Sequence, residues 1–137
     1  MPIATTALAH VRLTVTDIDA SRRFYDSVFA WPVYAELPPD ADSATRERLS
    51  FLFGGVIYRV GEGLLGLRPT GTGTFHEDRV GLDHLAFGLS GLPELEQAAA
   101  HLDSLGIRHE PIKDIGAAYI LEFRDPDNIA LELIARK

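Results

Sequence analysis

Two stretches decide the fold. They are Ala9-His10-Val11-Arg12-Leu13-Thr14-Val15-Thr16 near the start and Asp83-His84-Leu85-Ala86-Phe87-Gly88-Leu89 in the second half. Each alternates with period two, the pattern of a strand with one buried face. In the first, Val11, Leu13 and Val15 share a face opposite His10, Arg12, Thr14 and Thr16. In the second, Leu85, Phe87 and Leu89 lie opposite His84, Ala86 and Gly88. Each strand therefore opens with a histidine on the face that its apolar residues leave free. The match predicts an internal repeat.

A helix signal follows each strand. After the first, Asp17 or Asp19 can cap, Ala20, Phe24, Val28 and Phe29 recur near helical spacing, and Trp31-Pro32 ends the segment. After the second, Pro93 suits a first helical turn, and Leu95, Ala98, Ala99 and Leu102 form a stripe. Gly106 sits where a left-handed residue closes a helix. Three shorter strands are expected after each helix. In the first half they fall near 33–37, 50–59 and 64–68, with a polar excursion at 38–48 that holds a short helical turn at 43–48. In the second they fall near 108–113, 117–123 and 129–135, with Asp125-Pro126-Asp127-Asn128 as the last tight turn.

The expected fold is α+β: two βαβββ modules, residues 8–69 and 82–135, forming a cupped mixed sheet within a single domain spanning 1–137. Residues 70–81, preceded by Pro69 and opening with Thr70-Gly71-Thr72-Gly73-Thr74, read as a flexible linker. A module of about 55–60 residues is small for a core of its own, so two must pack together, within one chain or between chains. A homodimer is expected, isologous dimers being the commonest oligomers.

Composition narrows the function. The chain has 137 residues, 46% hydrophobic and 24% charged, as in an ordinary globular protein. It has no Cys, which excludes disulfides, iron–sulfur clusters and a cysteine nucleophile, and fits a reducing compartment. With 13 basic against 20 acidic residues the net charge is −7, so a nucleic-acid partner is not expected. No apolar run approaches the roughly 18 residues of a membrane span, and the N-terminus lacks the pattern of a signal peptide, so no membrane partner and a cytoplasmic location are expected.

The free faces of the strands carry the chemistry. Glu132 stands in the middle of Ile129-Ala130-Leu131-Glu132-Leu133-Ile134, opposite in parity to Leu131 and Leu133. A carboxylate there is costly unless something pairs with it. If the free faces curl into a cup, His10, His84 and Glu132 converge as two imidazoles and a carboxylate. That set suits Fe(II) and also serves Mn(II) or Zn(II), with coordination positions left open for a substrate. Taken singly, a histidine at a strand start is more often hydrogen-bonded than a ligand. The shared place of both in the repeat is what raises the metal reading.

The segments His10 to Asp17 with Ser21-Arg22-Arg23-Phe24-Tyr25, Asp83 to Phe87, and Phe123 to Glu132 resemble the paired modules of the vicinal oxygen chelate superfamily. That superfamily includes glyoxalase I, extradiol dioxygenases, methylmalonyl-CoA epimerase, and fosfomycin- and bleomycin-resistance proteins. The resemblance spans about 8–135. It implies metal ligation by His10, His84 and Glu132, with Fe, Mn, Zn, Co or Ni all admissible. The fourth ligand position of the superfamily falls on Gly66, which has no ligand atom and argues against glyoxalase I and the epimerase. The position that carries a tyrosine in the dioxygenases and fosfomycin enzymes is Glu122.

Glu122 reads either as a general base inside the cup or as a solvated strand residue paired with Lys113 or Arg124. Arg12 shares the cup face with His10 and reads either as an anchor for an anionic substrate or as a surface charge. The resemblance implies a divalent-metal enzyme on a small oxygen-bearing substrate, as lyase, isomerase or ring-cleavage dioxygenase. The alternative is a metal-free protein of the bleomycin-resistance type that sequesters a small molecule. The Gly61-Glu62-Gly63-Leu64-Leu65-Gly66 run matches a dinucleotide fingerprint by letter, but Pro69 denies the helix that motif needs, so it reads as a hairpin.

Overall fold

A computed structural model describes residues 1–137. The chain divides into two compact units, Met1–Gly73 and Thr74–Lys137.

The first unit runs β1 (His10–Thr14), α1 (Ile18–Val28), β2 (Val33–Glu36), α2 (Ser43–Arg48), β3 (Val56–Val60) and β4 (Gly63–Arg68). Its four-stranded sheet has the order β1-β4-β3-β2, with β1 parallel to β4 and the other pairs antiparallel. The second unit runs β5 (Leu85–Leu89), α3 (Leu92–Ser104), β6 (Lys113–Asp114), β7 (Ala118–Arg124) and β8 (Ala130–Arg136). Its sheet has the order β5-β8-β7-β6, again with one parallel pair, β5 with β8. Both sheets are mixed and share one strand order, so the α+β repeat is a property of the structure as well as of the sequence.

Local chemistry sets the helix boundaries. Asp17, rather than Asp19, caps α1, its carboxylate accepting from the backbone N–H groups of Asp19 and Ala20 at 3.0 and 3.1 Å. The buried side of α1 centres on Ser21 and Tyr25, one residue and about 100° around the helix from the expected Ala20–Phe24 stripe. Tyr25 stacks within reach of Phe29 and Trp31, and Trp31 in turn meets Tyr58. Tyr25 and Tyr58 are fully buried and Phe29 and Trp31 half-buried, so this ring cluster belongs to the core and its margin. In α3, Leu95 and Leu102 are fully buried, each contributing about 1.5–3 kcal/mol. Gly106 adopts φ +70° and lets the Ile107 N–H donate to Leu102 O at 2.9 Å, closing the helix.

Two expected strands are shorter than their sequence pattern. Ser50–Leu52 is a 3-10 turn, and Phe53 and Gly54 take positive φ, so the strand expected at 50–59 begins only at Val56. The one expected at 108–113 is reduced to Lys113–Asp114 and a lone bridge between His109 and Phe123. The 61–66 glycine run is a hairpin, Val60 pairing with Gly63 and Gly61 at φ +54° in the first turn position. Parts of the 70–81 segment are tied down. Gly71 N–H donates to Val15 O, and Phe75 N–H to Asp127 O. No helix is long and apolar enough to cross a membrane.

Candidate metal centre

In the second unit the site is built on one face of β5, β8 and β7. The buried side of β8 is Leu131, Leu133 and Ala135, which leaves Glu132 and Ile134 on the other face. Register then fixes a row. Ala86 lies beside Glu132, and Glu132 lies beside Glu122. His84 precedes β5 by one residue rather than starting it, two positions before Ala86 and therefore on the same side.

The structure brings His84 and Glu132 together, with His84 Nε2 3.5 Å from a Glu132 oxygen. The other ring nitrogen, Nδ1, is 2.6 Å from Asp83 Oδ1. A carboxylate at Nδ1 fixes the proton there and turns Nε2 toward the site, as in the outer shell of histidine metal sites. The Asp83 hydrogen bond, with Glu132 and Glu122 nearby, holds the imidazole above its ordinary pKa. Glu132 is largely buried, its side chain 13% exposed, while that of His84 is 44% exposed. A Cβ added at Gly88 would meet nothing within 4 Å. A cavity of about 220 Å3 opens here, lined by residues that include His84, Glu132, Glu122, Glu77 and Arg124.

Of the two sequence readings of Glu122, the structure contains the pairing with Lys113. Glu122 shares the row and the face of Glu132, and it also pairs with Lys113, whose Nζ is 3.3 Å from its Oε1. Arg124 does not pair with it. The Arg124 guanidinium donates two hydrogen bonds to Glu77, at 2.9 and 3.0 Å, and one to Asn128 O. The Arg124 hydrogen bonds hold the Glu77 carboxyl down at a pKa of about 2. Sequence reasoning missed Asp83 and Glu77. Adjacency to His84 was the available signal for Asp83. Glu77 gave none, because its partner is 47 residues away.

The first unit carries His10 and Arg12. His10 pairs with Leu64 and Arg12 with Gly66 in the parallel β1–β4 register, and Gly66 lies beside Ile57 on β3. Gly66 thus occupies in its sheet the place that Glu132 occupies in the other. The Arg12 stem lies over Gly66, where an added Cβ would stand 3.1 Å from Arg12 Cγ. The guanidinium Nη2 donates to Phe51 O, and its carbon lies 5.7 Å from the Phe51 ring centroid. Arg12 Nε is buried without an acceptor. A cavity of about 240 Å3 adjoins it, also lined by His10, Phe51 and Ile57.

Within either unit, no three His, Asp or Glu side chains lie close enough to hold a metal ion. The donor set nonetheless fits one in part. His84 Nε2 and the buried Glu132 carboxylate face each other with the imidazole oriented from behind, and a cation between them would satisfy both.

The sequence pattern of the Glyoxalase/Bleomycin resistance protein/Dioxygenase superfamily matches residues 7–133. The chain belongs to this superfamily. The uncharacterized protein YqjT of Bacillus subtilis (strain 168) is 30% identical over 131 residues, covering 92% of this chain and 96% of that protein. A glyoxylase/bleomycin resistance protein/dioxygenase domain from Frankia sp. EAN1pec is 29% identical, with a TM-score of 0.77 over 98% of this chain and 94% of that one. A point mutant of the fosfomycin resistance protein FosX from Listeria monocytogenes is 17% identical, with a TM-score of 0.74 over 98% and 95%. Its structure was solved with Mn(II) and 1S,2S-dihydroxypropylphosphonic acid. At that identity the likeness shows the superfamily fold alone.

Proposed function

We propose that this member of the glyoxalase superfamily is a divalent-metal enzyme acting on a small oxygen-bearing substrate, as lyase, isomerase or ring-cleavage dioxygenase. The observation that carries the proposal is the His84–Glu132 pair, with Nε2 and carboxylate 3.5 Å apart and Asp83 bound to the other side of the ring. His10, His84 and Glu132 would hold the ion, which can be Fe, Mn, Zn, Co or Ni. When bound, it supplies Lewis acidity toward vicinal oxygens, or oxygen activation if it is iron.

The chain's own residues do the rest. Asp83 keeps a proton on His84 Nδ1 and so keeps Nε2 free as a ligand. Glu122, in the same row as Glu132, takes a proton from substrate at a carboxylate oxygen, and the Lys113 contact at 3.3 Å holds that carboxylate in place. Arg12 orients the substrate. Open space beside Gly88 and the small side chain of Ala86 leave room for it. The proposal extends to one domain of two modules, 8–69 and 82–135 joined by 70–81, acting as a cytoplasmic homodimer. Each sheet ends on its first strand, β1 or β5, whose outer edge is free to meet another module.

The test is a Zn(II) titration of EDTA-stripped protein followed by imidazole NMR. The signals of His10 and His84 should change together and stop changing at one equivalent. Movement of His84 without His10 would remove His10 from the ligand set. No movement of either would favour the second reading, a metal-free small-molecule binding protein. That reading draws on the first unit, where the row through Arg12, Gly66 and Ile57 offers no ligand.

A further inference from the structure

The two sheets carry opposite chemistry at equivalent places. In the second unit the row Ala86–Glu132–Glu122 holds two carboxylates and no cation. In the first, the row Arg12–Gly66–Ile57 holds a cation and no carboxylate. A Cβ at 66 would stand 3.1 Å from Arg12 Cγ, close enough that the arginine stem would have to shift slightly, so the bare glycine suits the arginine lying across it. It also leaves no carboxylate at the position directly beside that arginine in the row.

We infer that Arg12 forms an anion subsite, and that the molecule it receives carries an oxyanion, a carboxylate or a phosphoryl-type group. Four observations carry this. The guanidinium is fixed, through Nη2 on Phe51 O and its face near the Phe51 ring. Its Nε–H is buried and has no acceptor, a costly and uncommon state for a donor. No ion pair neutralises it, whereas Arg22 and Arg124 are each paired with a glutamate. The adjoining cavity has apolar walls from Phe51, Ile57 and Leu64, a lining that suits a ligand anchored by one polar contact. The fork of an arginine suits planar carboxylates and phosphoryl oxygens. A chain of net charge −7 repels anions at long range, so a local cation is needed to seat one.

His10 lies two residues before Arg12 on the same face and lines the same cavity. An anion seated on Arg12 therefore places the rest of its molecule beside a proposed metal ligand. The inference rests on the reading of Arg12 as the substrate-orienting group, and it is independent of metal binding.

The experiment uses the EDTA-stripped full chain and the arginine Nε–H signals in 1H–15N NMR. Acetate, inorganic phosphate and the neutral acetamide are added at matched ionic strength. The Arg12 signal is assigned by its loss in Arg12→Lys. It should move saturably with acetate or phosphate and stay still with acetamide. The anion that binds better names the class of the substrate's charged group. Arg12→Gln should weaken binding at least tenfold, and Arg12→Lys should keep part of it. If neither anion moves the Arg12 signal, or if Arg12→Gln binds like the wild type, the subsite is wrong. Zn(II) uptake measured on the same sample separates the two claims. Intact uptake with no anion binding sinks the anion subsite alone, and anion binding without uptake sinks the metal reading alone.

Discussion

Glu122 stands directly across from Glu132 in the antiparallel β7–β8 register, so two carboxylates share one row and one face of the sheet. Like charges placed opposite each other are destabilising. Lys113 offsets one and His84 the other, at 3.3 and 3.5 Å. A fold has no need of this arrangement, but a site that concentrates negative charge does. In metal-free protein, Glu122→Gln should raise stability by about 0.2–1 kcal/mol in urea unfolding. A loss of stability would show that the Lys113 contact outweighs the repulsion. Once an assay is found, the same substitution should lower kcat by roughly 10²–10⁴ if Glu122 moves the proton.

Asp83 offers a separate check on the imidazole. Its bond to His84 Nδ1 orients a ligand without touching the ion. Asp83→Asn should lower metal affinity about 10–100-fold with the fold intact by circular dichroism. Unchanged affinity would mean that the ring is held by other contacts.

His109 gives the second unit a pH-dependent clasp away from the proposed site. Its Nδ1 is 2.9 Å from Glu110 O and its Nε2 is 2.7 Å from Asp103 Oδ1, which joins the end of α3 to the segment that follows. The bond to the Glu110 carbonyl, then that to Asp103, raises its pKa above the ordinary imidazole value. A raised folded-state pKa contributes stability that is complete below about pH 6.5, the unfolded value, and fades as pH rises through the folded value. The stability gap between wild type and Asp103→Asn should therefore be wider near pH 6 than near pH 9. An equal gap at both would remove the charge from the account.

Tyr58 tests the core of the first unit. It is fully buried, and its hydroxyl donates to Asp26 Oδ1 at 2.9 Å. Burial, then the Asp26 hydrogen bond, pushes its hydroxyl pKa upward. Tyr58→Phe should cost about 0.5–1.5 kcal/mol by chemical denaturation. No cost would mean that water serves Asp26 equally well.

The repeat, the strand faces and the helix positions were legible because period-two and helical spacing are local signals. Glu132 stood out for a related reason, a carboxylate of free-face parity inside an apolar strand. The errors have physical causes. Phe51-Leu52-Phe53 has strand composition, yet positive φ at Phe53 and Gly54 turns the chain before β3 begins. Ser21 lies on the buried side of α1 although its polarity hides it from a hydrophobic stripe. The seating of Arg12 over Gly66 depends on the parallel pairing of two strands distant in sequence, and no single stretch reveals it.

The most direct measurement is the metal content of protein purified without a polyhistidine tag and dialysed briefly, beside His84→Ala and Glu132→Ala variants. About one Fe, Mn, Zn, Co or Ni ion per wild-type chain is expected. Both variants should lose that ion while remaining folded. Full metal content in both variants, or a wild type that takes up no metal on reconstitution, would contradict metal binding by His84 and Glu132.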